Sequence, residues 1–427
     1  MKNKSYLEEG IRITTELLDD IIFLCETRMK KTYFTRRGRN KMDFKSMLLF
    51  ILNFVKKSIQ IELDEFFKMI TGKDINVTKQ AFSEARQKIS PKAFIKMADT
   101  IIKWFYTDTD FKKYRGYRVL SIDGTVLEIH NSEKLKEEFG YIENQNLKVA
   151  RARGAALYDG ENDMVLTSHI GKYKQGEREV AEILIEKLCD LGTCNDLILF
   201  DRGYPSREFI SFIEGKNIKY LMRVSTAFLK VVVNAPAADQ IVQTKYKNKL
   251  LKMRVLKFKL KSGVTEILVT NLFDKDGEIF TVDDFKELYF KRWGIEVKYD
   301  ELKNKLQIQN FTGKTPISIE QDFYATIYLA NMVALSKKDA NRIIQEENKD
   351  KNLKYEYKVN TNILIGKLKD SLISMLIEKK ARKRKKILKQ ITDEISRNTI
   401  PIRPDRKYDR RMTLKANKNA LNTKRSL

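Results

Sequence analysis

The run from Arg118 to Ile129, Arg-Val-Leu-Ser-Ile-Asp-Gly-Thr-Val-Leu-Glu-Ile, most limits the folds that this chain can adopt. Its β-branched and apolar residues predict a buried strand of an α/β protein, interrupted at Asp123-Gly124. A carboxylate inside such a strand is costly to bury unless it is paired or bound to a metal. The alternative is that Asp123 lies in the turn of a β-hairpin, which an Asp-Gly pair also permits.

The elements after this strand alternate in type. Arg151 to Leu157 and Met164 to Ile170 flank turn residues and predict a β-hairpin, and Glu177 to Leu191 predicts a helix. Leu197 to Phe200 predicts a short strand that ends directly at Asp201. A carboxylate at a strand end, in a sheet whose earlier strands also present one, lies where open α/β sheets commonly form their sites.

More strands are predicted between Asp201 and the next helix. They are Tyr220 to Val224, Leu229 to Val233, Leu250 to Leu260 and Glu266 to Thr270. Because polar and glycine turns separate them, these runs predict a β-subdomain inserted into the fold. Asp283 is the predicted cap of the following helix.

That helix is predicted to continue through a segment whose polar residues fall on one side. At about 100° per residue, four of them lie within about 60° of arc: Tyr289, Arg292, Glu296 and Lys303. A carboxylate there can hold a divalent cation, while the two cations can bind phosphate oxygens. An ordinary ion pair between Arg292 and Glu296 explains part of the pattern equally well. Asp300 lies near the same side and is a rival carboxylate.

The charge of the chain indicates a polyanionic partner. The formal net charge is +26, and the segment from Lys379 to Leu427 contains 18 Lys or Arg against 4 Asp or Glu. Over half of the excess therefore lies in this segment. Nucleic acid is the simplest partner for such a surface, with binding that weakens steeply as salt rises. An anionic membrane surface, or a role in solubility alone, is the alternative.

The flanking regions are predicted to be helical. Ile11 to Tyr106 has helical periodicity, and within it Thr78 is a predicted cap and Arg86 a predicted exposed residue. Two short helices around a turn in this region could read DNA, although plain packing is the ordinary explanation. Ile319 to Leu335 predicts another helix, and an apolar stripe at Asn362 to Leu376 precedes the basic segment.

Cysteine, histidine and apolar content exclude several classes of protein. The three cysteines are scattered and there are two histidines, so a zinc set or a histidine-based triad has little material. The most apolar run, Met47 to Val55, is too short to span a membrane. The polar N-terminus does not resemble a secretory leader. We therefore expect a cytoplasmic protein without a membrane partner.

Three carboxylates remain as candidates for chemistry: Asp123, Asp201 and Glu296. Two divalent ions can activate an attacking oxygen and stabilise a leaving one, and they need several carboxylates to stay in place. Oxygen ligands favour magnesium or manganese over zinc.

The sequence resembles the DDE transposases of bacterial insertion sequences, in particular the insertion-sequence-four family. The family signature, Tyr-x2-Arg-x3-Glu-x6-Lys, is matched without a gap at Tyr289, Arg292, Glu296 and Lys303. Asp123-Gly124-Thr125 resembles the first aspartate motif of the family, and Asp201-Arg202-Gly203-Tyr204 resembles the second. The resemblance extends from about Thr78 to Leu335.

The resemblance implies an α/β fold with a ribonuclease-H-like catalytic core and an inserted β-subdomain. The predicted regions are a helical N-terminal domain at 1–111 that could bind DNA, the catalytic domain at 112–335 with its insertion at about 220–280, and a basic helical C-terminal region at 336–427. Asp123, Asp201 and Glu296 are implied as ligands of two magnesium or manganese ions. Tyr289, Arg292 and Lys303 are implied as DNA contacts, whereas Trp293 is expected in the core.

The implied activity is cleavage at transposon ends followed by strand transfer into target DNA. The implied partners are double-stranded DNA, as terminal inverted repeats and target, and a second copy of the chain in a synaptic homodimer. The expected location is the cytoplasm of a prokaryote, in association with the nucleoid. A related metal-dependent DNA nuclease, or an inactivated relative that only binds DNA, is the alternative.

Overall fold

The computed structural model describes residues 5–35, 42–53, 58–73, 75–143, 145, 147–260, 263–274 and 279–403. The chain divides into two compact units. One is formed by Met1–Ala93 with Met332–Leu427, and the other by Phe94–Asn331. The part of the predicted basic region that follows Arg403 lies outside the described residues.

Helices and strands account for most of the described chain. The α-helices are α1 Tyr6–Asp19, α2 Ile21–Thr27, α3 Phe44–Leu52, α4 Ile59–Thr71, α5 Lys79–Arg86, α6 Lys92–Asp108, α7 Glu133–Phe139, α8 Glu177–Leu191, α9 Arg207–Gly215, α10 Lys230–Val233, α11 Val282–Phe290, α12 Gly294–Asp300, α13 Pro316–Asn348, α14 Thr361–Ile377 and α15 Ala381–Ser396. The strands are β1 Arg118–Glu128, β2 Tyr141–Glu143, β3 Lys148–Asp159, β4 Met164–Lys172, β5 Asp196–Phe200, β6 Lys219–Val224, β7 Asp239–Tyr246, β8 Lys249–Lys259, β9 Thr265–Thr270, β10 Tyr357–Val359 and β11 Thr399–Pro401. Within the described ranges, no helix has both the length and the apolar character that crossing a membrane requires.

Side-chain caps fix the helix starts in the first unit. Asp339 accepts hydrogen bonds from the backbone N–H groups of Tyr6 and Leu7, which satisfies two of the open donors at the start of α1. Thr78 caps α5 as predicted, because its hydroxyl accepts from the Ala81 N–H. Arg86 is only 1% exposed, so the prediction of an exposed residue is wrong for this arginine.

The second unit is built on one mixed sheet. Its strand order is β2-β3-β1-β5-β6-β9-β8-β7, and β4 pairs with β3. β1, β5 and β6 are parallel, whereas β3 is antiparallel to β1. β1 runs without a break through Asp123-Gly124, so Asp123 is a strand residue and the hairpin-turn alternative is wrong.

A buried ion pair matches the register of the two central strands. The β1–β5 ladder pairs Arg118 with Asp196, and their side chains meet in two hydrogen bonds of 2.6 and 3.0 Å. The Arg118 guanidinium also lies 4.5 Å from the Tyr106 ring. Breaking such a pair leaves an uncompensated buried charge, so a shift of either strand is strongly disfavoured.

The sheet packs α11 against the face that Val119 and Leu199 share. Phe285 and Leu288 of α11 belong to the same buried cluster as these strand residues. Each such side chain contributes roughly 1.5–3 kcal/mol when it leaves water. This packing holds the helical segment after Phe290 next to the ends of β1 and β5.

The predicted inserted subdomain continues this sheet. β6 pairs with β5, and β9, β8 and β7 extend the sheet by antiparallel pairing. Leu229 to Val233, predicted as a strand, contains the short helix α10 instead. Lys257 donates its ammonium to the Val233 and Ala235 carbonyls at 2.6 and 2.5 Å, and these bonds stabilise the end of α10.

The start of α11 also differs from the prediction. Thr281 rather than Asp283 is the N-cap, and its side chain accepts from the Asp284 N–H. Asp284 accepts in turn from the Thr281 N–H at 2.8 Å, which completes a capping box. Asp283 is the second residue of α11, where a negatively charged side chain still interacts favourably with the helix dipole.

Candidate active site

Two of the three predicted carboxylates come from neighbouring parallel strands of the sheet. The paired residues of β1 and β5 run from Arg118 with Asp196 to Ser121 with Leu199. Continued two residues past this last pair, the same register would bring Asp123 next to Asp201, which directly follows β5. Adjacent strands are about 4.8 Å apart, so the two carboxylates can contact one ligand.

The third carboxylate reaches this edge from the helical segment that follows α11. Glu296 Oε1 accepts from Arg292 Nη2 at 3.1 Å, so the ion pair that the spacing predicts is present. Tyr289 donates its hydroxyl to Asp201 Oδ1 at the long distance of 3.5 Å. Tyr289 and Arg292 are buried, whereas the Glu296 side chain is 38% exposed.

The charges of neighbouring groups act on the first aspartate. The pKa of Asp123 is raised to about 6, chiefly by burial and also by the negative charges of Glu296 and Glu177, while the Gly124 N–H and Arg292 oppose the shift. Burial raises the pKa of Tyr289 well above its ordinary value, and the charge of Asp201 contributes. Asp123 is thus a carboxylate with too little positive charge around it.

Arg292 has an unused donor at this edge. Its Nε–H is buried and has no hydrogen-bond partner among the described residues. An unsatisfied buried donor costs roughly 1–3 kcal/mol, and more when the group is charged. A phosphate oxygen is the acceptor that a guanidinium binds best.

Residues that the sequence analysis missed hold α12 in place. Lys298 is buried and donates to Asp163 at 2.9 Å and to Glu301 at 2.8 Å. Lys291 donates to Glu161 at 2.7 Å. The bonds to Asp163 and Glu161 tie the helical segment to the β3–β4 turn. Only the turn residues themselves were visible in the sequence, because nothing local shows which helix a turn contacts.

Tyr299 connects α12 to the first aspartate directly. Its hydroxyl donates to the Asp123 backbone carbonyl at 2.6 Å. The next carboxylate along the helix, Asp300, is exposed and accepts from its neighbour Asn304 at 2.6 Å. Glu296, rather than Asp300, is therefore the helix carboxylate whose charge acts on Asp123.

The helix is irregular where the last predicted site residues lie. A 3-10 turn covers Lys291–Trp293 and a π-helical turn covers Glu301–Lys305, so uniform helical spacing does not hold through the segment. Lys303 donates to the Val126 carbonyl at 3.2 Å. Trp293 is 39% exposed, and the expectation of a core tryptophan is wrong.

The donors at this edge fit a hard divalent cation, since all three are carboxylate oxygens. Asp123 would gain a compensating positive charge from such an ion. Among the described residues, however, no three acidic, histidine or cysteine side chains are already close enough to hold a metal. One carboxylate oxygen of Glu296 accepts from Arg292 in this arrangement.

Comparison with known proteins places these motifs in a family. The family model described as a transposase DDE domain matches residues 114–332. The chain is 25% identical over 289 residues to transposase InsG of insertion sequence element IS4 from Escherichia coli, with 62% of each protein covered. It is 24% identical over 323 residues to a putative transposase of element IS4SA from Synechocystis, covering 73% of this chain and 88% of that protein.

A more distant similarity is found among solved structures. The cryo-EM structure of the piggyBac transposase synaptic complex with hairpin DNA matches at 11% identity and a TM-score of 0.47, covering 93% of this chain and 87% of that one. The chain spans 62% of the length of the first curated relative. The DDE model covers just over half of the chain. The chain therefore belongs to the DDE transposase family and, within it, to the insertion-sequence-four group that its motifs predict.

Proposed function

We propose that this protein is a DNA transposase that cleaves phosphodiester bonds at transposon ends and joins the freed 3′ end to target DNA. The observations that support this most are the parallel pairing of β1 with β5, whose continued register would bring Asp123 next to Asp201, and the charges of Arg292 and Glu296 that act on Asp123. Family membership supports the same activity.

The proposed catalytic core is ribonuclease-H-like. Its strands would be β4, β3, β1, β5 and β6, in that order across the sheet, with the last three parallel. β7, β8 and β9 would then be the family's β insertion, added to the edge of the core sheet. The proposed domain limits are 1–111, 112–335 and 336–427.

Asp123, Asp201 and Glu296 would hold two magnesium or manganese ions. When bound, such ions activate an attacking oxygen and stabilise the leaving oxygen of a phosphodiester. The protein's own contribution is placement. The β1–β5 pairing would bring together the strands that lead to two of the ligands, and the bonds of Lys298 to Asp163 and Glu301 would fix the helix that presents the third.

Arg292 would hold the phosphate beside the cleaved bond. Its Nε–H has no partner among the described residues, and its Nη2 is shared with Glu296. A phosphate oxygen can satisfy the first donor, and Glu296 is released if the second donor also turns to the phosphate. Tyr289 and Lys303 would contact the same DNA end. DNA binding and release of the third ligand would thus be linked.

The proposed partners are double-stranded terminal repeats, target DNA and a second copy of the chain. The exposed cations at the start of α15 support a phosphate-binding surface, since Arg382, Lys383, Lys385 and Lys386 are all exposed there. A related DNA nuclease, or a relative that binds DNA without cleaving it, would share this surface. Cleavage and strand transfer separate the three possibilities.

The test is nicking of a labelled duplex that contains the element's own terminal repeat, with magnesium, manganese or EDTA. We compare the wild type with Glu296→Gln and with Asp300→Asn as the matched control. Cleavage should require the metal, fall by roughly a thousandfold in Glu296→Gln, since metal ligands contribute several kcal/mol to the barrier, and survive in Asp300→Asn. Cleavage without metal, or by Glu296→Gln, would contradict the site. Binding without any cleavage would favour the DNA-binding relative.

A further inference from the structure

An arginine–glutamate pair lies beside the two aspartate motifs. Arg153 of β3 has its Nη1 3.6 Å from Oε1 of Glu177, the first residue of α8. The same Nη1 lies 3.5 Å from the position that a Cβ on Gly124 would occupy, and Glu177 Oε2 lies 2.6 Å from that position on Gly203. The pair therefore reaches from the glycine of the first motif to the glycine of the second.

Arg153 lies on the opposite face of the sheet from the Asp123 side chain. The β1–β3 ladder places Asp123 opposite Ala156 and Val126 opposite Arg153. Directly opposed residues share a face, and successive residues of a strand alternate between faces. Ala156 and Arg153 are three residues apart on β3, so their side chains lie on opposite faces of the sheet. Arg153 therefore contacts β1 on the face opposite to the Asp123 side chain.

The first turn of α8 also holds the loop after β5. Arg178 donates to the Tyr204 carbonyl at 2.9 Å and to the Pro205 carbonyl at 3.3 Å. The Glu177 carboxylate fills the space that a side chain at Gly203 would need. Gly203 does not have a positive φ, so its role is to leave this space rather than to permit an unusual backbone conformation.

We propose that Arg153 and Glu177 are a positioning pair, which holds the backbone after Asp123 and the loop after Asp201 at the spacing that metal binding needs. The β1–β5 ladder ends at Ser121 and Leu199, two residues before the aspartates, so its hydrogen bonds do not reach them. Metal sites tolerate misplacement of only about half an ångström. This inference rests on the proposed function, because the metal site is part of it.

The direction in which the Mn²⁺ affinity changes when each charge is removed distinguishes a positioning role from a purely electrostatic one. Removing the negative charge of Glu177 weakens Mn²⁺ binding under either account. Removing the positive charge of Arg153 should strengthen Mn²⁺ binding if only charge matters, since a nearby cation repels the ion. If the pair positions the aspartates, the same removal weakens binding, by about tenfold as for other residues that orient metal ligands.

The experiment measures Mn²⁺ binding by electron paramagnetic resonance on the full chain, alone and with the terminal-repeat duplex. The variants are Glu177→Gln, Arg153→Gln and Gly203→Ala. The methyl group at 203 displaces only the flexible end of Glu177, so Gly203→Ala moves the carboxylate without changing any charge. We expect all three variants to bind Mn²⁺ about tenfold more weakly, with unchanged melting temperature. In a Glu177→Ala background, Gly203→Ala should have no further effect.

The neighbouring pair of Arg151 with Glu128 is a matched control. Its atoms lie 3.4 Å apart and its side chains are 18% and 52% exposed, against 20% and 51% for Arg153 and Glu177. Arg151→Gln and Glu128→Gln should leave Mn²⁺ binding unchanged. Wild-type affinity in the three test variants, tighter binding in Arg153→Gln, or an equal loss in the control pair would each overturn the positioning role.

Mn²⁺ binding and DNA cleavage are separate measurements, so the positioning pair and the proposed function can be refuted independently. A wild type that binds Mn²⁺ through Asp123 but does not cleave DNA would refute the proposed function and leave the positioning pair testable by binding. A wild type that cleaves, with variants that bind Mn²⁺ normally, would refute the pair alone. A wild type that binds no Mn²⁺ with or without DNA would overturn both.

Discussion

Two arginine–carboxylate pairs lie near opposite ends of the paired strands β1 and β5, and they differ in how fully the partners satisfy each other. Arg118 and Asp196 are joined by two hydrogen bonds, and their side chains are only 2% and 0% exposed. Arg292 and Glu296 share a single bond of 3.1 Å, and the glutamate is 38% exposed. The buried Nε–H of Arg292 has no acceptor among the described residues.

The difference indicates that the two ion pairs have different roles along the same two strands. Arg118 lies five residues before Asp123, and Asp196 lies five residues before Asp201. The complete pair of Arg118 with Asp196 therefore sets the alignment of the two aspartates. The pair of Arg292 and Glu296 leaves a buried donor unsatisfied, as expected if it binds the proposed phosphate. A complete pair favours stability, whereas an incomplete one favours binding at some cost in stability.

The largest expected difference is in stability. Arg118→Gln leaves Asp196 buried without its partner and should lower the free energy of unfolding by about 3–5 kcal/mol. Arg292→Gln removes a less complete pair and should lower it by under about 1 kcal/mol, while it abolishes cleavage. Urea unfolding and the nicking assay measure the two effects. Equal losses of stability would contradict the comparison.

A double variant sharpens the same test. Arg118→Met together with Asp196→Leu removes both buried charges and should recover most of the stability that Arg118→Gln loses. If cleavage also recovers, apolar packing is enough to keep the strands aligned. Recovery of stability without cleavage would show that the ion pair itself sets the register.

The pH dependence of the free protein offers a test of intermediate size. The pKa of Asp123 rises from 3.8 to about 6, chiefly by burial. Between these values the folded protein keeps a proton that the unfolded chain has lost, so the contribution of this group to stability falls as pH rises from about 4 to 6 and is level above. Asp123→Asn should reduce this slope, measured as melting temperature against pH, and leave the part that comes from Asp99, whose pKa burial also raises to about 6. An unchanged slope would assign it to another group.

Divalent metal should favour the deprotonated form of Asp123, which burial disfavours. If Asp123 is a metal ligand, as proposed, metal binding requires its carboxylate and should weaken as pH falls below about 6. Magnesium should therefore raise the melting temperature at pH about 7 much more than at pH about 5. An equal rise at both values would place the bound ion away from Asp123.

The candidate site was predictable from the sequence because each residue lies in a short motif with a local meaning. Asp123 interrupts an apolar run, Asp201 follows one, and Glu296 shares a helical turn with Arg292. The alignment of the two aspartates was not predictable in the same way. It depends on the pairing of Arg118 with Asp196 across the chain, and neither residue stands out locally.

The strand predictions failed at two places, for different reasons. The β-branched run in α10 favours a strand, yet Lys257 binds the carbonyls at its end and stabilises a helical turn. β7 was missed because it lies at the edge of the sheet, pairs only with β8 and exposes most of its polar residues. In the first case a distant partner decides between two local preferences, whereas β7 pairs with the strand that follows it directly in the sequence.

The smallest expected effect concerns the hydrogen bond from Tyr299 of α12 to the backbone of the first aspartate. Tyr299→Phe removes the bond to the Asp123 carbonyl and should lower stability by about 1 kcal/mol. Because the strand pairing still aligns Asp123, cleavage should slow by roughly fivefold rather than vanish. Tyr106→Phe is the control, since it removes a comparable bond of 2.7 Å to Asp159. It should lower stability without slowing cleavage; equal rates in the two variants would show that Tyr299 supports the fold and not the site.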